Sequence, residues 1–303
     1  MTDIDSHEFA KRARIEVAKV LNRTNDSHIG GGYSSMDILA VLYTRILNID
    51  KNNLDDPNRD VFILSKGHIA ASYYTVLALA GIIPAEDLDK HIVNGSIYAG
   101  HTRKSSTKGV AGVEMSAGSL GHGANMGAGM AYAKKIRGLG GRVFVLMGDG
   151  ECNEGSVWEA AMFASRFNLS NLVMVVDHNH LQAYGSDKQV LDMGDLVAKF
   201  REFGCDAIGI DGHDHSQIYE ALSLKLGVGK SCHSNTGESS VVSLNDMTSH
   251  SEKPLVVVAE TIKGKGASFM ENKLEWHFKS PNDEQLAQII REQEALAVGG
   301  NTV

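Results

Sequence analysis

The chain has 303 residues, enough to bury a substantial core as one large α/β domain or two smaller ones. Its 37 Asp and Glu against 29 Lys and Arg give a net charge of −8, and no basic tract stands out, which argues against a general nucleic-acid binder. The cysteines, Cys152, Cys205 and Cys232, are odd in number and unpaired in spacing, so a reducing compartment is expected and a disulfide framework is not.

The polar, acidic N-terminus is unlike a signal peptide, and no apolar run approaches the ~20 residues that span a bilayer, so a cytoplasmic protein without a membrane segment is expected. Residues 7–23 carry apolar side chains at helical spacing (Phe9, Ala13, Val17, Val20, Leu21) and predict a first helix. Ser27-His28-Ile29-Gly30-Gly31-Gly32 is too glycine-rich for regular structure and predicts a loop. A helix is expected near Met36–Leu47 and a strand at Val61–Ser65, with Lys66-Gly67-His68 at its exit before a helix to about Leu79. A short helix is placed from Pro84, whose fixed φ suits a first turn. Residues 94–118, with Gly100-His101-Thr102-Arg103, lack periodicity, and a loop this long inside a domain is usually functional or mobile.

Ser119–Gly123 leads into a small-residue helix, Ala124–Lys135. Then come a strand at Arg142–Met147, the loop Gly148-Asp149-Gly150-Glu151-Cys152-Asn153-Glu154-Gly155, a helix over Val157–Phe167, and a strand at Leu172–Val176 that leads to Asp177-His178-Asn179-His180-Leu181. A helix at Asp195–Phe203, a strand at Asp206–Ile210 and a helix through Leu226 follow. Residues 227–252, rich in Ser, Gly, Asn and Thr, are expected to be a mobile insertion in a single domain spanning 1–303. A strand at Pro254–Thr261 ends in Lys263-Gly264-Lys265-Gly266, and Glu275-Trp276-His277 and a helix near Asp283–Ala297 close the chain, which has no internal repeat. Alternating strands and helices predict an α/β fold, a doubly wound, mainly parallel sheet with helices on both faces.

In such a sheet Asp149 and Asn179 stand at the carboxyl ends of two parallel strands, where ligands bind. A carboxylate and an amide oxygen suit a hard divalent cation such as Mg²⁺, and the glycines leave room for a phosphate to reach it. Asp149 and Glu154 could instead only cap the next helix; the pairing with Asn179 favours the metal. A backbone carbonyl, diphosphate oxygens and water would complete the coordination.

A lone histidine is more often structural, yet His28, His68 and His101 all lie beside glycine near predicted strand ends, where imidazoles can exchange protons with substrate hydroxyls. Their spacing fits no compact zinc motif. His213 and His215 are read as residues at the start of a helix, and His178 and His180, flanking Asn179, are expected to point away from it. Lys263 and His277 follow the last strand, a position suited to neutralising a phosphate.

With these residues assembled, the chain resembles the amino-terminal, diphosphate-binding half of transketolase over roughly residues 8–295. The resemblance rests on Gly148-Asp149-Gly150 with Asn179, and on Ser27-His28, Ser65-Lys66-Gly67-His68, Gly100-His101, Gly118-Ser119-Leu120-Gly121-His122-Gly123, Ile262-Lys263-Gly264-Lys265-Gly266 and Trp276-His277. It implies a thiamine-diphosphate enzyme in which Asp149, Asn179 and the carbonyl of Leu181 bind Mg²⁺, with Ca²⁺ or Mn²⁺ as substitutes. His28, His68 and His101 would line the thiazolium and the substrate channel, Gly118 and Leu120 would touch the cofactor, and Lys263 and His277 would sit near its diphosphate. Gly148 and Gly150 would belong to the cofactor loop, and Glu154 would contact the equivalent site across a dimer interface.

The sequence departs from the family in having His122 for a glutamine, Thr102-Arg103-Lys104 for the usual Pro-Glu, and a long 227–252 segment. It also stops where the pyrimidine-binding domain is expected, so the resemblance implies a split enzyme. A carboxy-terminal partner subunit would supply the activating glutamate, in a dimer of heterodimers acting on sugar phosphates. Half of a deoxyxylulose-phosphate-synthase-like or 2-oxo-acid dehydrogenase-like enzyme is the alternative, and a non-catalytic cofactor-binding scaffold is the alternative outside catalysis.

Overall fold

In the computed structural model, which describes residues 4–104, 109–224 and 251–296, the apolar runs of the sequence become the strands of one parallel sheet. These are β1 (Val61–Leu64), β2 (Val143–Gly148), β3 (Leu172–His178), β4 (Asp206–Asp211) and β5 (Leu255–Glu260), in the order β1-β2-β3-β5-β4. Their residues read as near-continuous apolar runs because both faces of the sheet are covered. Phe144, Leu146, Val173 and Val175 pack to one side, and Val143, Val145, Met147, Met174 and Val176 to the other.

The first face is covered by α1 (Ser6–Thr24), α2 (Ile29–Ser34), α3 (Met36–Val41), α4 (Ala70–Leu79), α9 (His215–Ser223) and α10 (Asp283–Leu296). The second is covered by α5 (His122–Ile136), α6 (Gly155–Arg166) and α8 (Leu196–Glu202). α1 starts where the Asp5 carboxylate accepts the N–H groups of His7 and Glu8 and ends at Asn25 in the left-handed region, and its apolar stripe of Phe9, Ala13, Val17, Val20 and Leu21 is buried. α5 presents Ala124, Gly127, Ala128 and Ala131 to the sheet and α6.

Three local expectations are corrected, and one short helix goes unforeseen. Gly30–Gly32 are not a loop but the middle of the short helix α2. A glycine costs a helix about 1 kcal/mol relative to alanine, and here close packing outweighs that: a Cβ on Gly30 would lie 2.9 Å from the Trp276 carbonyl, and one on Gly32 would overlap Ser72 of α4. The helix expected at Met36–Leu47 is α-helical only to Val41 and then widens into a π-turn, Leu42–Ile46. The segment after Pro84 is a 3₁₀ turn, Ala85–Lys90. Periodicity gives no sign of the short helix α7 (Asp187–Leu191); its signal is a capping box in which Ser186 accepts the Gln189 N–H while the Gln189 side chain accepts from the Ser186 N–H.

The expected insertion at 227–252 lies outside the described residues except for Ser251 and Glu252, and so do Cys232 and the predicted end of α9 at Leu226. No helix of the described residues is long and apolar enough to cross a membrane. Cys152 and Cys205 are buried free thiols.

Candidate active site

Parallel pairing brings the carboxyl ends of β1, β2, β3 and β5 to one edge of the sheet. Residues that follow those strands therefore meet there: Ser65–His68 after β1, Asp149 and Gly150 after β2, Asn179–Leu181 after β3 and Thr261–Lys263 after β5. One buried carboxylate ties them together. Asp177 Oδ2 accepts from Ser34 Oγ (2.6 Å), Ser35 Oγ (2.8 Å), Asn179 Nδ2 (3.2 Å) and the Lys66 ammonium, and Oδ1 accepts from the Thr261 hydroxyl. Burial pushes its pKa up, but the Lys66 charge and these hydrogen bonds outweigh it and hold the carboxyl at about 2. Lys66 also donates to the Gly31 carbonyl (3.2 Å) and Ser35 Oγ (3.0 Å), which anchors the glycine helix to the site.

The Gly148-Asp149-Gly150 turn is held by Glu151, which accepts from the Gly148 N–H (3.2 Å), the Gly121 N–H (2.9 Å) and Ser65 Oγ. Through Gly121 it fixes the loop that carries Gly118 and Leu120 beside the end of β2. Asp149 itself is buried, and among the described residues its oxygens accept two backbone N–H groups, from Gly150 (2.7 Å) and His180 (2.7 Å). Burial and the nearby Asp177 charge raise its pKa, and no cationic side chain forms an ion pair with it among the described residues. Asn179 spends its amide N–H on Asp177, while Oδ1 accepts the Leu181 N–H at 3.2 Å.

Opposite in sign is Lys263. It is 2 % exposed and has no carboxylate ion pair among the described residues. Its ammonium donates to the Leu181 carbonyl (2.7 Å) and lies 2.7 Å from His277 Nδ1. Burial and the Lys66 charge lower its pKa to about 8. A buried carboxylate without a cation and a buried ammonium without an anion thus flank the Asn179–Leu181 turn, which is the donor and acceptor set that a metal-bound diphosphate would complete. In this structure the Leu181 carbonyl, expected to face a metal, accepts from Lys263 instead.

The separately placed histidines come together. Ring centroids of His28 and His68 are 5.1 Å apart, of His28 and His277 5.3 Å, of His68 and His277 5.8 Å, and of His28 and His101 6.4 Å. Ser27 Oγ lies 2.7 Å from His28 Nδ1 and orients that ring. Burial lowers His28 to about 4 and His277, beside Lys263, to about 3; burial and the Lys66 charge hold His68 well below its ordinary value. These rings are neutral at pH 7 and can each both donate and accept a proton. His101 is exposed, against Gly118. His122 lines an open cleft with Lys104, Glu114, Gly118 and Met126. Gly67 lets the loop approach β1, since a Cβ there would lie 2.5 Å from that of Ala117. Glu154 is exposed at the start of α6, with its side chain against Gly121.

Asp177 and Glu151 are not among the residues that the sequence singles out. The signal for Asp177 is a carboxylate ending an apolar run, with Ser-Lys-Gly at the exit of another. His213 and His215, read as residues at the start of a helix, have a structural role there: both bond Asp37 (2.7 and 3.2 Å), which pairs with Arg14.

Comparison with known proteins identifies the family. Residues 5–230 match the model of the transketolase, thiamine diphosphate binding domain. The chain is 36% identical over 289 residues to an apulose-4-phosphate transketolase subunit of Actinobacillus succinogenes, covering 94% of this chain and 95% of that one. It is 34% identical over 292 residues to the 6-deoxy-6-sulfo-D-fructose transketolase subunit SqwG of a Clostridium species, covering 96% and 97%. The crystal structure of transketolase from Campylobacter jejuni superposes with a TM-score of 0.81 at 25% identity, over 97% of this chain and 43% of that longer one. Sequence and fold lead to one assignment: the chain belongs to the transketolase family and is built on its thiamine diphosphate-binding domain.

Proposed function

We propose that the chain, acting over 1–303 as one diphosphate-binding domain, is one of the two kinds of subunit in a Mg²⁺-dependent transketolase. The enzyme moves a two-carbon ketol unit from a ketose, as its phosphate, to an aldose. The observation that carries this reading is the pair of uncompensated buried charges, Asp149 and Lys263, on either side of the Asn179–Leu181 turn. Asp149, Asn179 and the Leu181 carbonyl would hold the metal, with Gly148 and Gly150 leaving space for the diphosphate. Lys263 and His277 would neutralise and bond that diphosphate, and Gly118 and Leu120 would line the cofactor beside them. When bound, thiamine diphosphate supplies the carbon nucleophile and electron sink for breaking and forming the carbon–carbon bond.

The chain's own part is to position and to move protons. The neutral rings of His28, His68 and His277, with His101 beside them, exchange protons with sugar hydroxyls. Glu154, exposed, would reach the equivalent site of a neighbouring protomer. Two relatives of nearly the same length, each named as one subunit of a transketolase, support a separate partner. That partner would be the carboxy-terminal, pyrimidine-binding half, contributing the activating glutamate in a cytoplasmic dimer of heterodimers. The named relatives carry different sugars in their names, so the shared class, a ketose donor, is what we carry over.

The test is reconstitution. Chain, partner, thiamine diphosphate and Mg²⁺ together should transfer the ketol unit, and each omission should stop it. No turnover in the complete mixture, or CO₂ release from pyruvate as donor in its place, would overturn the proposal.

A further inference from the structure

A second cluster lies beside the turn after β3, made of side chains that the site above does not use. His178, the last residue of β3, is in register with Glu260, the last residue of β5. Two residues on, His180 sits with φ +61° and its ring centroid 4.0 Å from that of His178. Asp187, at the start of α7, closes the group. Asp187 Oδ2 is 3.2 Å from His178 Nε2 and 2.9 Å from His180 Nδ1. The other nitrogen of each ring meets Glu260: His178 Nδ1 lies 2.7 Å from Oε1 and His180 Nε2 lies 2.8 Å from Oε2.

This is more ordered than a charge network requires. One carboxylate faces one nitrogen of both imidazoles, and a second carboxylate holds the remaining nitrogen of both. Ligand atoms of His178, His180 and Asp187 all lie within 4.8 Å of one another. Zinc bonds of ~2.0–2.2 Å in a tetrahedron put ligand atoms roughly 3.3 Å apart, close to the two nitrogen–oxygen spacings seen here. Histidines that bind metal commonly give their other ring N–H to a carboxylate, which fixes ring and tautomer. Glu260 is placed to do that for both rings at once.

We propose that His178 Nε2, His180 Nδ1 and Asp187 bind a zinc-class transition-metal ion, with Glu260 orienting both imidazoles and water completing the coordination. Imidazole and carboxylate select such an ion, whereas the oxygen-only set of Asp149 and Asn179 selects Mg²⁺. The two sites share a backbone: the Asn179 and Leu181 that flank His180 belong to the cofactor turn, and the His180 N–H donates to Asp149. An ion held here clamps that turn from its outer side. The inference does not depend on the cofactor reading.

The test uses the full chain, stripped with a chelator and kept in excess Mg²⁺. Zn²⁺ titrated by calorimetry should bind at one per chain, and Co²⁺ in its place should give the visible bands of a nitrogen–oxygen site. His180→Gln and Asp187→Asn should abolish both signals while thermal unfolding shows that the fold is kept. Glu260→Gln should weaken binding about 10- to 100-fold, the usual cost of losing a carboxylate behind a ligating histidine. Asp149→Asn and His68→Gln should leave binding intact. Absence of stoichiometric binding, or binding indifferent to His180→Gln and Asp187→Asn, would overturn the proposal. So would loss with His68→Gln, which would place the ion among the other imidazoles.

Discussion

Replacing Lys66 by methionine keeps the volume of the side chain and removes the only cation paired with Asp177 among the described residues. Both groups are buried, at 1 % and 0 % exposure, and breaking a buried pair from one side costs about 3–5 kcal/mol because the other charge is stranded. An unfolding entropy of about 2.1 cal/mol/K per residue gives about 0.6 kcal/mol/K for 303 residues. A loss of about 4 kcal/mol then lowers Tm by about 6 °C. The effect is pH-dependent in a stated direction. Asp177 is held at about 2, below its unfolded value, so its ionisation stabilises the fold above about pH 4, and that contribution disappears as pH falls through about 2.

In Lys66→Met, burial of Asp177 is opposed only by the hydroxyl and amide hydrogen bonds, and the carboxyl takes up a proton at a higher pH. The gap in Tm between the native chain and the variant is therefore widest near neutral pH and narrows toward about pH 3. Adding Asp177→Asn to Lys66→Met removes the stranded charge and keeps an acceptor oxygen for Ser34 and Ser35, with the amide NH2 donating to the Thr261 hydroxyl, so the double variant should melt above the single one. Circular dichroism melts of the three proteins between about pH 3 and 7 make the measurement. A neutral-pH gap under about 2 °C, or a double variant no better than the single, would refute the account of Asp177 as an ionised hub.

Asp149→Asn removes a buried charge that has no cation, so the apo chain should melt no lower than the native one while calorimetric affinity for thiamine diphosphate with Mg²⁺ falls at least about tenfold. In the apo chain Lys263 titrates at about 8, and an anion beside it favours the charged form, so diphosphate binding at a pH just above that should take up a proton. Calorimetry in buffers of different ionisation enthalpy would show it, and Lys263→Met should abolish it. His28 at about 4 and His277 at about 3 lie below the unfolded value, so the folded state binds fewer protons than the unfolded one and apo stability falls as pH drops from about 6.5. His277→Gln should flatten that slope in melts between about pH 4 and 7. Gly67→Ala sets a Cβ against Ala117 and should cost about 1–3 kcal/mol, and the shift of the Gly118–Leu120 loop should appear as weaker cofactor binding.

The sheet and the residues at its edge are legible in the sequence because apolar runs ending in glycine or a polar turn admit few other readings. Asp149, Asn179, Lys263 and His68 stand out because each follows such a run, and His28 and His101 stand out beside glycine. Asp177 does not, because a carboxylate at the end of a strand looks like the start of a turn until Lys66 and three hydroxyls are seen around it. Glu151 is hidden inside the conspicuous glycine turn, where it reads as a surface residue although it bonds Ser65 at the exit of β1 and the Gly121 loop. Gly30–Gly32 mislead for a related reason. Local propensity says loop, and only the proximity of Ser72 and Trp276, far along the chain, explains a helix without side chains. Sequence spacing tests His178 and His180 only against Asn179 between them, and it carries no sign of their meeting with Asp187 and Glu260.

The order of strands carries a consequence for synthesis. β5 is the last strand in the sequence but inner in the sheet, between β3 and β4, and among the described residues β4 pairs with no other strand. A nascent chain that has emerged through Asp211 therefore exposes one open edge on β3 and an unpaired β4 until Leu255 leaves the ribosome. At about 5–20 residues per second that interval lasts roughly 2–9 seconds. During it the Thr261 hydroxyl is also missing from Asp177. The cofactor edge and the sheet are thus completed together, late, by the same strand, and a holdase covering β3 through that interval protects both.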